Sequence, residues 1–393
     1  MCGAIGLFGS AAFAQDVPDP EELARFRFGP IRLTPSITVT SLGVDTNVFN
    51  EADDPKQDTT ASFGPGLEFW MRMGRAKLSG KSAAEYFYFK KYDGQRSFGT
   101  VNEARLELPL NRLAPFVEGR YTNTRQRPGY EIDARARRRE VAGRAGADLR
   151  VGSRSTIRFA AGRETYRFDS EDSFLGTALS EQLDRDSDSF EVSARQRLTP
   201  LTTFAIIAEQ RQDRFVFTPT RDADGFRLTP GFEFKPFALL EGSVFAGYRR
   251  FHTLESTVPD FGGVIAKADL AYALRATRFQ LRLNRDVTYS FEALEPYYLL
   301  TDVTLAVTQR ITRAWDVVGR GGRQLLDYRA VGPESVPRTD KLGQAGGGVG
   351  YRVGERFRLG VDADHYRRQS VISGRTYQGW RVGGSVNYGV RTR

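Results

Sequence analysis

Residues 278–292 read RFQLRLNRDVTYSFE, and hydrophobic and polar side chains alternate along this stretch. One face carries Phe279, Leu281, Leu283, Val287, Tyr289 and Phe291. Only Arg285 interrupts that hydrophobic face, and the other face is polar throughout. A period of two is typical of a β-strand whose two faces meet different surroundings. The stretch would extend about 50 Å at about 3.3 Å per residue, which is long for a strand of a soluble sheet.

The same alternation recurs along most of the chain beyond residue 30. It is clear in residues 226–235, 357–364 and 380–388, where hydrophobic residues, glycine or proline occupy every second position. The chain of 393 residues contains 40 glycines and 17 prolines, a balance that suits many strands separated by tight turns. The sequence therefore predicts an all-β protein.

Two kinds of connection separate the predicted strands, and they alternate strictly. Very short turns are predicted near Gly74-Arg75, Asn111-Arg112, Gly152-Ser153-Arg154, Thr199-Pro200, Pro236-Phe237, Thr277-Arg278, Thr312-Arg313 and Gly354-Glu355. Longer polar connections are predicted near residues 50–58, 92–97, 125–138, 169–187, 218–224, 253–262, 293–297, 329–339 and 369–375. Nine hairpins, hence 18 strands, follow from this alternation, with both termini on the side of the tight turns. A count of 16 is the alternative, because the strands near 201–217 and 313–328 are the weakest.

This layout predicts a membrane-spanning barrel. No stretch approaches the roughly 18–20 uninterrupted apolar residues that a membrane-spanning helix needs. Short turns at one end, long loops at the other and an even number of strands are typical of a bacterial outer-membrane β-barrel. Lipid tolerates no unpaired backbone groups, and a closed antiparallel sheet pairs all of them. We therefore predict a single transmembrane antiparallel β-barrel of 18 strands, closed by pairing the strand near 32–49 with that near 376–390. The aromatic residues expected in its interfacial girdles are Trp70 and Trp315, near tight turns, and Tyr86, Tyr88, Tyr92, Tyr121, Tyr289, Tyr297 and Tyr298, toward the long loops. Of these, Trp70 falls on the polar phase of its strand.

The N-terminal residues predict export. Residues 1–14 form an apolar run ending in Ala12-Phe13-Ala14, the small-x-small pattern of a signal-peptidase site. We expect residues 1–14 to be a signal-peptide-like leader, residues 15–30 a periplasmic N-terminal segment and residues 31–393 the transmembrane barrel. The single cysteine, Cys2, would be lost on cleavage; the alternative is a disordered or buried N-terminus. The predicted location is the bacterial outer membrane, with both termini periplasmic.

Side chains that catalyse reactions or bind metals are scarce. The chain has one cysteine and two histidines, His252 and His365. Both histidines are expected near the rim of the barrel, as interfacial polar residues rather than bases. We predict no catalytic, cofactor or metal site and no enzymatic activity. A nucleic-acid partner is not expected either, because the arginines are spread over many strands and balanced by acids.

The first predicted hairpin resembles a known family. Residues 29–37 read GPIRLTPSI and residues 43–49 read GVDTNVF. A proline-bearing first strand followed by an Asp-x-Asn-hydrophobic-Phe run, here Asp45 to Phe49, is similar to the start of the putative outer-membrane β-barrel porin family 2. The rhythm of strands and turns extends the resemblance over most of residues 30–393. It implies a pore or an envelope-export role, sometimes beside exopolysaccharide genes, and no catalytic residues.

Arginine supplies most of the positive charge of a chain with 57 Lys and Arg against 48 Asp and Glu. The predicted pore-lining residues are Arg120, Arg144, Arg227, Arg249 and Arg320, with Glu118 and Asp148. One interpretation is a basic belt that favours anions in a wide lumen. In the other, each arginine pairs with an inward carboxylate, such as Glu118, Asp148, Glu233 or Glu241, and stiffens the wall.

Two long loops carry opposite charge. Residues 125–139 contain six arginines, and residues 169–189 contain seven acidic residues around Phe174-Leu175. Either loop would narrow the pore if it folded inward. We expect both to be solvated outer loops instead, the basic one touching lipopolysaccharide phosphates.

The leading functional prediction is a porin-like channel for small polar solutes, with anions as the candidate class. One alternative is an export conduit or accessory for extracellular polysaccharide, which only the resemblance supports. Another is an occluded barrel that acts as an envelope scaffold or receptor. The expected partners are outer-membrane lipid and lipopolysaccharide, the barrel insertion machinery, which would recognise Tyr388, and small polar solutes or polysaccharide.

Overall fold

The computed structural model describes residues 24–235, 239–331, 338–354 and 356–389. The predicted leader, residues 1–14, lies outside the described residues. So do Pro236-Phe237 and Glu355, which belong to two of the predicted tight turns.

The described chain is almost entirely β-strand. The strands are β1 Phe26–Phe28, β2 Ile31–Asp45, β3 Asp58–Met73, β4 Ala76–Phe89, β5 Ser97–Glu107, β6 Leu113–Gln126, β7 Ala136–Arg150, β8 Ser155–Phe168, β9 Ser173–Phe174, β10 Thr177–Ala178, β11 Arg185–Arg197, β12 Thr202–Phe215, β13 Ala223–Phe234, β14 Leu240–Thr253, β15 Phe261–Leu274, β16 Thr277–Tyr289, β17 Tyr297–Arg310, β18 Trp315–Arg329, β19 Thr339–Val353, β20 Phe357–Gln369 and β21 Tyr377–Tyr388. Of these, β2–β8 and β11–β21 pair antiparallel in chain order, which gives 18 wall strands among the described residues. The predicted count is confirmed, because the two segments that made 16 the alternative are the regular strands β12 and β18.

The strands β2 and β21 close the ring, as predicted. Their ladder runs from Ile37 to Asp45 on β2 and shifts register on the way. Ser41 lies at the shift with a φ of 54°, a left-handed conformation that occurs at β-bulges. A Cβ atom at Gly43 would overlap the carbonyl oxygen of Val382. The two closing strands can therefore approach each other only because residue 43 has no side chain.

The strand β1 extends the wall at this closure. Residues 26–28 fold back against residues 31–33 of β2. Over these residues β3 occupies the other edge of β2, so β1 lies on the edge that β21 uses farther along. Arg25 Nη1 donates a hydrogen bond to the carbonyl oxygen of Pro35 at 2.9 Å. The described part of the N-terminal segment is thus attached to the barrel.

The two faces of the wall differ in chemistry. On β6, Val117 and Tyr121 are 59% and 38% exposed. Glu118 and Arg120 alternate with them, and their side chains are only 11% and 21% exposed. Exposed hydrophobic residues continue around the outside, among them Phe159, Phe190, Phe226, Val264 and Val349. A hydrophobic outer face and a charged inner face are what a barrel in lipid requires. Among the described residues, no helix is long and apolar enough to cross a membrane.

Outward aromatic pairs mark both ends of the wall. Trp315 and Tyr351, next to the tight turns, have ring centroids 5.0 Å apart. His365 and Trp380, toward the long loops, lie 4.9 Å apart. Aromatic rings at these two levels are typical of the interfacial girdles of membrane barrels.

The end of the β16–β17 hairpin leaves the wall. The ladder between β15 and β16 ends at Ala266 opposite Arg285, although both strands continue beyond this point. Arg285 of β16 links its two neighbouring strands, because its Nε donates to the carbonyl oxygen of Val264 on β15 at 3.3 Å and its Nη1 to Thr301 Oγ1 on β17 at 2.8 Å. This accounts for the one charged residue on the hydrophobic face of β16.

Beyond this separation the hairpin is buried inside the barrel. Residues 297–300 are 1–4% exposed, so both faces of the strand end are covered. Tyr289 Oη donates to Asp213 Oδ2 on β12 at 2.8 Å. The prediction that Tyr289, Tyr297 and Tyr298 belong to the outer aromatic girdle is therefore wrong, because the strand ends that carry them bend inward.

Candidate functional site

All five predicted pore-lining arginines lie on the inner face, and each has a carboxylate within ion-pair distance. The shortest N–O distances are Arg120–Glu164 2.5 Å, Arg144–Glu191 2.6 Å, Arg227–Glu209 2.7 Å, Arg249–Asp286 2.6 Å and Arg320–Asp364 2.6 Å. Four of these pairs join strands that are second neighbours in the ring. They therefore brace the concave inner surface of the wall.

The predicted inward carboxylates are paired as well. Glu118 accepts a hydrogen bond from Arg105 at 2.9 Å and lies 3.6 Å from Arg144. Asp148 accepts two hydrogen bonds from Arg158, at 2.6 and 2.7 Å. Glu233 lies 3.4 Å from Arg195, and Glu241 lies 3.6 Å from Arg278. These distances favour a wall stiffened by ion pairs over a basic belt, since the field of a paired arginine is largely cancelled by its partner.

A niche opens in this wall between β5 and β12. Its cavity volume is about 80 Å³. Small residues that line it are Ala104, Ala142, Gly162, Ser187 and Ser189, and the inward charged residues around it are Arg120, Arg144, Arg211, Glu118, Glu164 and Glu209. The charges of these three guanidinium groups and three carboxylates cancel, so the inward side chains together carry no net charge. The niche therefore offers hydrogen bonds to polar solutes without favouring one sign of charge.

The loop between β6 and β7, residues 127–135, crosses the lumen, and we call it the crossing loop. Tyr130 Oη donates to Asp302 Oδ2 on β17 at 2.9 Å. Arg368 Nη1 on β20 donates to Asp133 Oδ2 at 2.9 Å. In the ring of 18 strands, β17 is nine steps from β6, which is the opposite side of the barrel. The predicted position of this segment among solvated outer loops is wrong, because its polar groups find partners on the far wall.

Glu131, in the crossing loop, is enclosed by hydrogen-bond partners. Its carboxylate accepts from Ser290 Oγ at 2.6 Å and from the backbone N–H of Phe291 at 3.1 Å. Its carbonyl oxygen accepts from Arg368 at 3.0 Å and also from Arg375. Burial raises the pKa of the Glu131 carboxyl to about 7, against the opposing effects of the Ser290 hydrogen bond and the Arg375 charge. The crossing loop therefore carries a group that titrates near neutral pH.

The acidic loop also turns inward. It contains a short helix, α1, Leu179–Leu183. Leu179 and Leu183 pack against Ile132 of the crossing loop and Phe291 of the inward-bent hairpin, and all four side chains are buried. Three segments far apart in the chain thus share one apolar cluster inside the barrel. The prediction that this loop lies in solvent is wrong for its helical part.

Three buried arginines tie the infolded segments to the wall. Their ion pairs are Arg368–Asp133 2.9 Å, Arg368–Asp340 2.5 Å, Arg338–Asp340 3.1 Å, Arg338–Glu292 2.9 Å and Arg375–Glu292 3.0 Å. The side chains of Arg368 and Asp340 are completely buried. Removal of one partner would leave an uncompensated buried charge, which is strongly destabilising.

Glu131 and these three arginines were not predicted from the sequence. One local signal was available, because Tyr130 and Ile132 are large apolar side chains within an otherwise charged loop. Such residues suggest burial. Nothing in the local sequence indicates which strands would cover them.

The segment that carries the family resemblance contacts the crossing loop. Asp45 pairs with Arg381 across the closure of the ring at 2.7 Å. Arg127 Nη2 donates to the carbonyl oxygen of Val48 at 2.8 Å. The segment from Asp45 to Phe49 therefore anchors one end of the crossing loop.

Comparison with known proteins gives a family match and similar folds. The family model described as "Putative beta-barrel porin 2" matches residues 22–389. No curated protein matches the chain.

Solved structures with a similar chain trace include three from Pseudomonas. A BenF-like porin from Pseudomonas fluorescens Pf-5 is 10% identical with a TM-score of 0.49, over 92% of this chain and 98% of that one. OccK2 (OpdF) from Pseudomonas aeruginosa, in complex with glucuronate, is 10% identical with a TM-score of 0.47, over 91% and 97%. The outer membrane protein OpdK from Pseudomonas aeruginosa is 9% identical with a TM-score of 0.45, over 91% and 98%. Identities this low carry no information on the solute.

Proposed function

The chain belongs to the putative β-barrel porin 2 family, and we propose that it is an outer-membrane channel for small polar solutes in which infolded loops restrict passage. We further propose that the long loops face the cell exterior, that both termini are periplasmic and that residues 1–14 are removed after export. Outer-membrane barrels carry short turns on the periplasmic side and long loops outside, which supports this orientation.

One observation carries the restriction: the crossing loop reaches the opposite wall, where Tyr130 bonds to Asp302, and it is also held by the bond of Arg368 on β20 to Asp133. A segment that divides a lumen of 18 strands leaves room only for small solutes beside it, or requires movement before larger ones pass. A lumen lined by fixed charges and hydrogen-bonding groups favours polar solutes. These features together support a narrow, polar channel.

We propose weak selectivity between anions and cations. An anion preference would need guanidinium groups whose fields are not cancelled, and each of the five arginines considered has a carboxylate within 2.7 Å. The inward charges of the niche also sum to zero. Permeation would then depend on size and hydrogen bonding more than on the sign of the solute's charge.

An occluded barrel is the second candidate, favoured by the apolar cluster of Ile132, Leu179, Leu183 and Phe291 inside the lumen. Export of polysaccharide has its support in the family resemblance alone. A sugar chain would have to displace the crossing loop from its ion pair with the buried Arg368 and its hydrogen bond to Asp302.

Conductance in planar lipid bilayers tests the proposal. We expect small, stable single-channel currents from the full-length protein. A variant in which a short Gly-Ser linker replaces residues 127–135 should conduct several times more, because the bridge across the lumen is gone. The matched control replaces residues 53–55, an exposed part of the loop after β2, and should conduct like the unchanged protein.

The other outcomes separate the candidates. If only the variant without the crossing loop conducts, the native barrel is occluded and the second candidate holds. If neither protein conducts although both are folded, the channel proposal is wrong.

A further inference from the structure

A cluster of three cationic side chains lies on the outside of the barrel, and we call it the outer basic patch. Arg323 on β18 lies opposite Gly343 on β19, and Gly343 lies opposite Arg367 on β20. Lys341 is two residues from Gly343 and therefore on the same face. All three cationic residues are exposed. The patch thus spans three neighbouring strands, with a glycine at its centre.

These residues face outward because they share the phase of the hydrophobic outer face. Val361 on β20, which is 65% exposed, lies an even number of residues from Arg367 and therefore on the same face of the strand. The residues that alternate with them, Gln324 and Arg368, are buried on the inner side. The patch therefore faces the surroundings of the barrel and not the lumen.

No carboxylate in the described part of the chain neutralises the positive charge of the outer basic patch. None of Arg323, Lys341 and Arg367 has a carboxylate within ion-pair distance in the part of the chain that the structure describes. Like charges at neighbouring cross-strand positions repel each other. An external anion would relieve this repulsion.

Two other outward arginines are paired with carboxylates. On β8 and β12, Arg163 lies 3.0 Å from Asp186, and Arg214 lies 2.7 Å from Asp224. The charge of these two arginines is balanced within the protein, unlike that of the outer basic patch.

The level of the patch in the membrane follows from its neighbours. Arg367 is two residues beyond His365 toward the long loops, and His365 packs against Trp380 in the outer aromatic pair. Aromatic girdles lie where the hydrocarbon ends and the polar headgroups begin. The guanidinium and ammonium groups next to this pair are then at the depth of the headgroups of the outer leaflet.

We propose that the outer basic patch binds the phosphate groups of a phosphorylated glycolipid, the lipopolysaccharide of the outer leaflet. Arginine forks bind phosphate oxygens in pairs. A Cβ atom at Gly343 would have the Arg367 Nε at 3.7 Å as its nearest neighbour, so no side chain stands between the two arginines. The inference uses the orientation proposed above, and it does not depend on whether the barrel conducts.

Lipid binding to the purified full-length barrel in detergent tests the proposal. The probe is lipid A carrying its phosphates, compared with the same lipid after enzymatic removal of the phosphates. The test variant is Arg323→Gln, Lys341→Gln, Arg367→Gln, and the measured quantity is the Kd. We expect at least tenfold weaker binding of phosphorylated lipid A, and little difference between the variant and the parent for the dephosphorylated lipid.

A matched control carries Arg214→Gln and Asp224→Asn, which removes one outward ion pair without a change in net charge. It should bind phosphorylated lipid A within about twofold of the parent. Folding of each variant is checked by its heat-dependent mobility on gels. The proposal is overturned if the triple variant, once folded, binds phosphorylated lipid A like the parent, or if removal of the phosphates leaves the parent's affinity unchanged.

Discussion

The phenol of Tyr130 donates a hydrogen bond to Asp302, on the strand diametrically opposite the one that leads into its loop. Gln324 donates to the second oxygen of the same carboxylate at 2.8 Å, so the acceptor is held in place. A contact between two side chains thus joins opposite walls of the barrel.

Replacement of Tyr130 with Phe removes this hydrogen bond and keeps the aromatic ring beside Tyr298 and Tyr328. We expect the free energy of unfolding to fall by about 1 kcal/mol and single-channel currents to fluctuate more, because the crossing loop is held less firmly. Thermal unfolding and bilayer recordings measure the two effects. Tyr121→Phe, on the exposed outer face, is the control and should change neither. Recordings of Y130F that match those of the parent would contradict a restraining role for the bond.

The titration of Glu131 predicts a pH-dependent channel. Its carboxyl has a pKa of about 7 in the docked crossing loop against an ordinary 4.5, so the docked loop binds the proton more tightly. Docking is therefore most favourable at low pH, and it loses roughly 3 kcal/mol as the pH rises from about 4.5 through about 7. We expect conductance to increase over this interval.

Glu131→Gln is the matched variant, because a neutral amide resembles the protonated carboxyl. Its conductance should stay low and nearly constant across the same pH range. An unchanged pH profile in E131Q would show that another group is responsible. A flat profile in the parent would mean that Glu131 does not govern the position of the loop.

The pairing of inner charges predicts energetic coupling between Arg320 and Asp364. The guanidinium donates to both carboxylate oxygens at 2.6 Å. We expect Arg320→Gln and Asp364→Asn each to destabilise the barrel, and the double variant to be about 1–3 kcal/mol more stable than the sum of the single effects implies. Chemical denaturation of the four proteins completes the cycle. Additive losses would show that the two groups act independently.

The close approach of β2 and β21 where the ring closes predicts that residue 43 does not tolerate a side chain. Valine there would force β2 away from the carbonyl oxygen of Val382, so we expect a loss of roughly 2 kcal/mol or more and a smaller folded fraction on gels. Gly319→Val is the control, because a Cβ atom at that wall glycine meets nothing within 4 Å. Equal folded fractions for G43V and G319V would contradict a special constraint at the closure.

The wall of the barrel could be predicted from the sequence because lipid and lumen impose opposite demands on alternate residues. That contrast shows which side chains of each strand face lipid and which face the lumen, as for Val117 and Glu118 on β6. A shift by one residue would exchange the two faces, so the alternation excludes such a shift. Tight turns and long loops then give the strand count and the closing pair.

The interior could not be predicted in this way. Tyr130 and Asp302 are 172 positions apart in the chain, and no periodicity links a loop to the strand that receives it. The inward arginines were recognised from their phase, yet four of their five partners, such as Glu164 and Glu191, are two strands away in the sheet, and the pairing of adjacent strands does not identify them. Charge composition made the basic loop look solvated, whereas its Asp133 is ion-paired with the buried Arg368.

The separation of β16 from β15 has a mechanical consequence. Beyond Arg285 the hairpin end keeps a backbone ladder to the wall on the β17 side alone. On the β15 side, the bond of Arg285 to Val264 replaces the row of backbone hydrogen bonds. Side-chain contacts of Asp286 with Arg249 and of Tyr289 with Asp213 hold the hairpin end to the inner wall. The hairpin end can therefore move only when these side-chain contacts break, while the ladder on the β17 side stays intact. Since Phe291 in this hairpin end contacts Glu131 and Ile132, the hairpin end and the crossing loop would move together.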